Sequence, residues 1–232
     1  MRLQLSTNFV IRFASSICLG FGFWAIYFYL PPIFFSLVLL TILLLIIVYE
    51  WTRFFPVNTP LFWLLLPPYL ILPFALIIIL NHNPAYHKLL VILFVLVFSF
   101  DTGSYVTGNL IGKHPIWKSI SPKKTWEGVL GGFIFALFGF IFIIWEQGYH
   151  TPCRVVVPFT LVICLLSLAG DLFESWLKRR ARLKDSGTML PGHGGFLDRF
   201  DGIKIGIIRI NHFYSFFNHH NSIEGVDKID VL

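Results

Sequence analysis

The residues best suited to chemistry are concentrated in one stretch, from Ser175 to Asp201, which reads SWLKRRARLKDSGTMLPGHGGFLDRFD. This stretch contains six of the eighteen Lys and Arg residues of the chain, together with three Asp and one His. Carboxylates suit magnesium, which usually takes one or two of them together with substrate phosphates. Cations beside a glycine-rich turn suit a polyphosphate. The combination predicts phosphoryl or nucleotidyl transfer, a chemistry that depends on positioning and on neutralising charge.

Acidic residues occur at both ends of this stretch. Four polar residues around its start fall at i, i+3, i+4 and i+7: Asp171, Glu174, Ser175 and Lys178. They share one face if the preceding helix continues through them. Asp198 and Asp201 likewise share a face if residues 196–201 are helical. The alternative, a basic juxtamembrane segment that binds anionic lipid headgroups, accounts for the cations but not for the acids or the glycines.

Two upstream segments also carry candidate groups. Asp101 follows an apolar run, and an acid at membrane depth costs about 2.5–3.5 kcal/mol on insertion scales. We therefore favour a functional role over the alternative that Asp101 marks a helix end in headgroup water. Lys123 and Lys124 precede a predicted helix start, where ammonium and amide groups can bind phosphate. An ordinary basic loop explains the two lysines equally well, and both interpretations stay open.

The composition indicates the class of protein that must position these groups. The chain has 232 residues, of which 56% are hydrophobic and 13% charged, whereas soluble domains carry about 25% charged residues. An integral membrane protein with several spans is therefore predicted. Basic cytoplasmic loops are the normal orientation signal of such proteins. We interpret the net charge of +6 in this way and do not expect nucleic acid as a partner.

Six apolar runs approach the length of a membrane-spanning helix, which predicts an all-α, polytopic membrane protein with about six transmembrane helices. The runs are Phe13–Leu30, Ile33–Tyr49, Leu61–Leu80, Leu89–Phe100 with its continuation, Val129–Trp145 and Val155–Leu172. Three prolines in the third run, Pro67, Pro68 and Pro73, predict a kink or a break there. The glycines Gly103, Gly108 and Gly112 recur at four- or five-residue spacing, which is typical of close helix packing.

The distribution of positive charge predicts the orientation. With six spans and a cytoplasmic N-terminus, Lys88 and Arg154 are the only Lys or Arg residues in the outer loops. This orientation places the loop Gly112–Gly128 and the stretch Ser175–Asp201 on the same, cytoplasmic, side. We expect a multi-pass protein with its active site on that side, in the cell membrane if the protein is bacterial.

The 27-residue stretch also matches a known pattern. It reads S-x-L-K-R-x(4)-K-D-x-G-x(2)-L-P-x-H-G-G-F-x-D-R-F-D, which resembles the signature of the phosphatidate cytidylyltransferases at every specified position. Two upstream blocks, Asp101-x-x-x-Tyr105-x-x-Gly108 and Ser121-Pro-Lys-Lys-Thr-Trp-Glu-Gly128, are similar to further blocks of that family. The resemblance covers about residues 98–201, and it divides the chain into N-terminal helices (1–97), a catalytic membrane region (98–201) and an atypical polar tail (202–232).

The resemblance implies a reaction, two substrates and a set of site residues. The expected reaction makes CDP-diacylglycerol and pyrophosphate from CTP and phosphatidate in a lipid membrane. The implied cofactor is Mg²⁺, with K⁺ as a further ion, and a homodimer is an option. The metal-binding residues would be Asp171, Asp198 and Asp201. The catalytic residues would be Asp198, Asp201, Lys178 and Arg179. The substrate-binding residues would be Ser175, Lys184, Asp185, His193, Gly194, Gly195, Arg199, Lys123, Lys124 and Asp101.

The sequence after Asp201 departs from that family, which continues with Ser and a further apolar segment. Here Gly202 and a polar tail follow, as a natural truncation or a change of reading frame would produce. Because the missing helix would support the metal carboxylates, we expect weak or absent activity in this chain. Two alternatives remain open: a catalytically impaired relative that acts as a membrane scaffold, and a transporter with Asp101 and Asp171 on an ion path.

Overall fold

The computed structural model describes residues 20–146, 152–183, 186–187, 189, 195–198, 200 and 207, without the side chains of Ala85 and Lys88. Within these residues the long helices are α1 (20–29), α2 (Pro32–Phe54), α3 (Pro60–Asn81), α4 (Pro84–Ile111), α5 (Trp126–Glu146) and α6 (Cys153–Arg180), and Leu197, Asp198 and Phe200 are also helical. Two short strands, β1 (Pro115–Trp117) and β2 (Ser121–Thr125), lie between α4 and α5.

Five of these helices, α2 to α6, have segments long and apolar enough to cross a membrane. They confirm five of the six predicted runs, and the described part of the first run is also helical. The chain is therefore an all-α, multi-pass membrane protein, as predicted. The β-hairpin was not predicted, because its residues SPKKT show no alternation of apolar and polar side chains that would indicate a strand.

The chain divides into two compact units. Unit 1 consists of Met1–Ile78 with Leu177–Phe200, and unit 2 consists of Ile79–Trp176 with Asp201–Leu232. The predicted division after residue 97 stays a prediction; that residue lies inside α4.

In unit 1, α2 and α3 each contain a π-helical stretch, at Ile46–Trp51 and at Pro67–Ile71. The prolines of the third run therefore do not break the span. Proline lacks an N–H and clashes with the preceding turn, and a π turn accommodates both defects within a continuous helix. The other π stretch contains Glu50 and Trp51, which are adjacent and both 0% exposed.

In unit 2, α4 and α5 pack closely through glycines, as the glycine spacing predicts. A Cβ on Gly103 would lie 2.6 Å from Cβ of Phe135 and 3.0 Å from Cα of Gly132. Helix α4 continues ten residues past Asp101 to Ile111. Asp101 therefore lies within a helix, and the interpretation that it marks a helix end is wrong.

Candidate active site

The end of α6 directs the chain from the helix into the signature segment. Leu183 donates its N–H to the carbonyl of Lys178 at 2.8 Å, and Arg182 donates to the carbonyl of Arg179 at 3.1 Å. Arg182 has φ 57°, in the left-handed region. This pattern is a Schellman motif, in which the last carbonyls of the helix are satisfied as the chain reverses. It turns the chain back so that residues further along the signature can reach Lys178.

Three donors to Asp198 lie within unit 1. Lys178 Nζ donates to Asp198 Oδ1 at 2.8 Å. The backbone N–H groups of Ser186 and Gly195 both donate to Asp198 Oδ2 at 3.1 Å. A carboxylate has about four lone-pair sites, so these contacts leave little capacity for a further ligand. The pair is well shielded, with the Lys178 side chain 15% and the Asp198 side chain 11% exposed.

A second carboxylate of unit 1, that of Glu50, binds the same segment. We call Ser186, Gly187 and residues 195–198 the signature loop. Ser186 Oγ and the N–H of Leu197 donate to Glu50 Oε2 at 3.0 and 2.8 Å. The N–H of Phe196 donates to Glu50 Oε1 at 2.7 Å.

The sequence analysis missed Glu50, although a signal was present. Glu50 is an acid that directly follows an apolar run, as Asp101 does. The rule that flagged Asp101, that acids at membrane depth are functional candidates, applies equally to Glu50.

Two glycines of the signature lie against Glu50. A Cβ on Gly187 would lie 3.1 Å from both Cγ and Oε1 of Glu50. A Cβ on Gly195 would lie 2.6 Å from Glu50 Cδ and would also collide with Ser186 Oγ. The loop can therefore approach the carboxylate only because these positions lack side chains.

Unit 2 contains a second lysine–aspartate pair. Lys124 Nζ, on the hairpin, donates to Asp171 Oδ2 of α6. The side chains are 27% and 18% exposed. The other oxygen, Asp171 Oδ1, is buried and has no hydrogen-bond partner among the described residues. An unsatisfied buried carboxylate oxygen costs free energy, so its presence suggests a position for a ligand.

The hairpin is tied to the start of α5. Glu127 accepts from the N–H groups of Lys113 and His114 at 3.2 Å, and its Oε1 lies 2.5 Å from His114 Nδ1. Thr125 Oγ1 accepts from the N–H of Gly128 at 3.2 Å, which is a helix N-cap. The N–H of Gly128 is therefore occupied by the N-cap. Of the two lysines, Lys124 contacts Asp171 and Lys123 is exposed.

The remaining predicted site residues lie on helices or outside the described part of the chain. Ser175 is half-buried on α6, whereas Arg179 and Asp101 are exposed. Six predicted residues lie outside the described part of the chain: Lys184, Asp185, His193, Gly194, Arg199 and Asp201. Within the described part, no three His, Cys, Asp or Glu side chains form a group that could hold a metal. The predicted metal set, which includes Asp201, stays a prediction.

Comparison with known proteins identifies the family. The model of the cytidylyltransferase family matches residues 2–217, so the chain belongs to that family. The match extends further than the predicted resemblance at both ends. It includes the N-terminal helices, where Glu50 lies, and the first part of the polar tail.

Named relatives agree with this assignment. The phosphatidate cytidylyltransferase of Haemophilus influenzae is 37% identical over 75% of this chain and 64% of its own length. That of Staphylococcus haemolyticus is 41% identical over 51% of this chain and 45% of its length. That of Rickettsia bellii is 33% identical over 85% of this chain and 87% of its length. The chain thus spans less than two thirds of the first two relatives. These relatives do not favour the scaffold or transporter alternatives.

Proposed function

We propose that this protein transfers CMP from CTP to phosphatidate, giving CDP-diacylglycerol and pyrophosphate. The names of its relatives support this activity. The observation that carries the proposal is the Lys124–Asp171 pair, which presents a cation beside a buried carboxylate oxygen that has no hydrogen-bond partner among the described residues. Such a combination suits a metal-bound polyphosphate, since the oxygen can bind the metal and the ammonium the phosphate.

The residues of unit 2 fit a magnesium ion. Asp171 Oδ1 is an oxygen ligand without a hydrogen-bond partner among the described residues, and Mg²⁺ is bound through one or two carboxylates plus substrate phosphates. We propose that Asp171 holds Mg²⁺; the roles of Asp198 and Asp201 as further metal carboxylates, and of K⁺ as a further ion, stay predictions. The metal would neutralise charge on the triphosphate and orient it.

The protein's own residues have a limited chemical task in this reaction. The nucleophile is a phosphate oxygen of phosphatidate that is already ionised at neutral pH, so a strong general base is not needed. The main obstacle is repulsion between an anionic lipid and an anionic nucleotide. Lys124, which uses one of its three N–H donors on Asp171, can offer the others to a phosphate oxygen. Lys178 and Arg179 would neutralise further charge.

The membrane location follows from the two substrates. CTP is soluble in water and phosphatidate is not, so the reaction must occur at the membrane surface. The excess of Lys and Arg in the loops on one side supports a cytoplasmic site. We propose that surface as the site of catalysis, and a homodimer stays a prediction.

The test is an assay on the full chain purified in detergent micelles that contain phosphatidate. CTP and Mg²⁺ are added, pyrophosphate release is measured, and the lipid product is identified by mass spectrometry. CDP-diacylglycerol that depends on both CTP and phosphatidate would support the proposal. Pyrophosphate release without phosphatidate, or no lipid product at any Mg²⁺ concentration, would overturn it. The assay also decides whether a chain with this polar tail is active.

A further inference from the structure

The proposed reaction does not explain Glu50, an acid near the end of the apolar helix α2. It is 0% exposed, and a buried carboxylate is costly unless hydrogen bonds compensate it. We propose that Glu50 is a positioning residue, which holds the signature loop and thereby the geometry of Asp198 and Lys178. The expected effect of Glu50 on catalysis rests on the proposed function, whereas its effect on the signature loop can be tested separately.

Within the part of the chain that the structure describes, all donors to the buried Glu50 carboxylate belong to the signature loop. Three donors converge on its two oxygens, at 2.7, 2.8 and 3.0 Å. Two of them are backbone N–H groups, which substitution of the loop residues cannot remove. The contact therefore specifies the conformation of the loop backbone and depends little on which side chains the loop carries.

The glycines of the loop fit this role. A Cβ on Gly195 would collide with the Glu50 side chain, and a Cβ on Gly187 would make an unusually tight contact with it. A glycine-rich signature in a nucleotide-binding family suggests close approach of phosphate to backbone. At these two positions the structure shows a different partner, the carboxylate of Glu50.

Glu50 lies on a rigid element, as a positioning residue requires. The neighbouring Trp51 is 0% exposed, and its ring stacks on Tyr69 of α3 with centroids 5.8 Å apart. Trp51 Nε1 also donates to the carbonyl of Phe62 at 3.4 Å. These contacts fix the π-helical stretch against α3 within unit 1. Such π-helical stretches are frequent at functional sites.

The connection from Glu50 to Asp198 runs through shared loop residues. Ser186 donates its hydroxyl to Glu50 and its backbone N–H to Asp198. Residues 195–197 carry one N–H that binds Asp198 and two that bind Glu50. The loop is thus held between two carboxylates. Loss of the Glu50 contacts would release the backbone donors that orient Asp198. Because Lys178 donates to Asp198, the position of Lys178 would change as well.

The experiment compares Glu50→Gln, Glu50→Asp and the control Glu146→Gln in the full chain. Gln keeps the shape of Glu but directs an NH₂ group at the loop's N–H donors. Glu146 is an exposed acid at the end of α5. We measure kcat, KM for CTP, and hydrogen exchange of the amides of Phe196 and Leu197.

For Glu50→Gln we expect kcat to fall about 10- to 100-fold, as for other residues that orient metal ligands. We expect KM to change by less than about 3-fold, since no substrate contact is removed. Exchange at Phe196 and Leu197 should accelerate without a comparable change in α4 and α5. Glu50→Asp should recover part of kcat, and Glu146→Gln should match the wild type.

Unchanged exchange at Phe196 and Leu197 in Glu50→Gln would overturn the inference, as would accelerated exchange across both units. Wild-type kcat in Glu50→Gln would also overturn it. If the wild type makes no CDP-lipid, the proposed function fails, and the exchange measurement alone then decides whether Glu50 holds the loop. If Glu50→Gln does not fold, Ser186→Ala replaces it. That variant removes one donor to Glu50 and should accelerate exchange at the same two amides, and unchanged exchange would overturn the inference.

Discussion

Among the described residues, each unit contains a lysine–aspartate pair, and the two pairs differ in how the aspartate is held. In unit 1, Asp198 accepts from Lys178 and from two backbone N–H groups. In unit 2, Asp171 accepts from Lys124 through one oxygen, and its other oxygen has no hydrogen-bond partner among the described residues. The first aspartate is built into the loop scaffold, whereas the second retains capacity for a ligand.

This difference separates two roles that the same residue types can have. A carboxylate that organises backbone N–H groups contributes to stability and to catalysis together, because its loss disturbs the loop. A carboxylate with an open oxygen contributes to ligand binding with less effect on the fold. Substitution of each aspartate therefore should affect activity and stability in different proportions, which the following variants test.

The largest combined effect on stability and activity is expected for Asp198→Asn. The amide cannot accept from all three donors, so the ion pair with Lys178 is lost and the loop loses an anchor. Breaking a fully buried pair costs about 3–5 kcal/mol, and because this pair is partly exposed we expect about 2 kcal/mol. Activity should fall to background at the same time. Thermal denaturation in detergent and the CDP-lipid assay measure the two effects, and a variant as stable as the wild type would contradict the scaffold role.

Asp171→Asn should abolish activity with little loss of stability. Removal of a metal ligand should cost several kcal/mol of transition-state stabilisation, and about 4 kcal/mol corresponds to about 1,000-fold in rate. The asparagine retains an oxygen for Lys124, so the fold should persist. A titration with Mg²⁺ checks the cause: the variant should need more metal or should not respond. Full activity at the wild-type Mg²⁺ optimum would exclude Asp171 as a ligand.

Lys124→Met should raise KM for CTP more than it lowers kcat. A hydrogen bond to a charged group contributes about 1.5–3 kcal/mol, so we expect KM to rise about 10- to 150-fold. Lys118→Met is the matched control, since Lys118 is an exposed lysine of the same hairpin. Equal KM values for the two variants would mean that Lys124 serves only to pair with Asp171.

The smallest effect is expected for Arg182→Gly, at the turn that leads into the signature loop. Arg182 has φ 57°, a conformation that costs a non-glycine residue about 1–2 kcal/mol. Glycine removes that cost but loses more entropy on folding. We therefore expect unchanged kcat and a melting temperature equal to the wild type or raised by about 2–4 °C. A fall in activity of about 10-fold would instead indicate that the Arg182 cation contacts substrate.

Much of the fold was predictable because its signals are local. Apolar runs of span length predicted the helices α2 to α6, and glycine spacing predicted the close packing of α4 and α5. The continuation of α6 to Arg180 confirmed that Asp171 and Lys178 share one helix. The β-hairpin and the two π stretches were not predicted. The hairpin lacks an alternating pattern, and π stretches have no distinct sequence signal.

The sequence by itself determined the class of protein, the family and the residue types of the site, since composition, hydropathy and a dense motif are all readable along the chain. Only the tertiary structure decided which donors each carboxylate receives. Glu50 and Leu197 are 147 positions apart, and Lys124 and Asp171 are 47 apart. Such pairings depend on how distant helices pack, and no local pattern encodes them. For the same reason, the roles of Gly187 and Gly195 became clear only when Glu50 was found beside them.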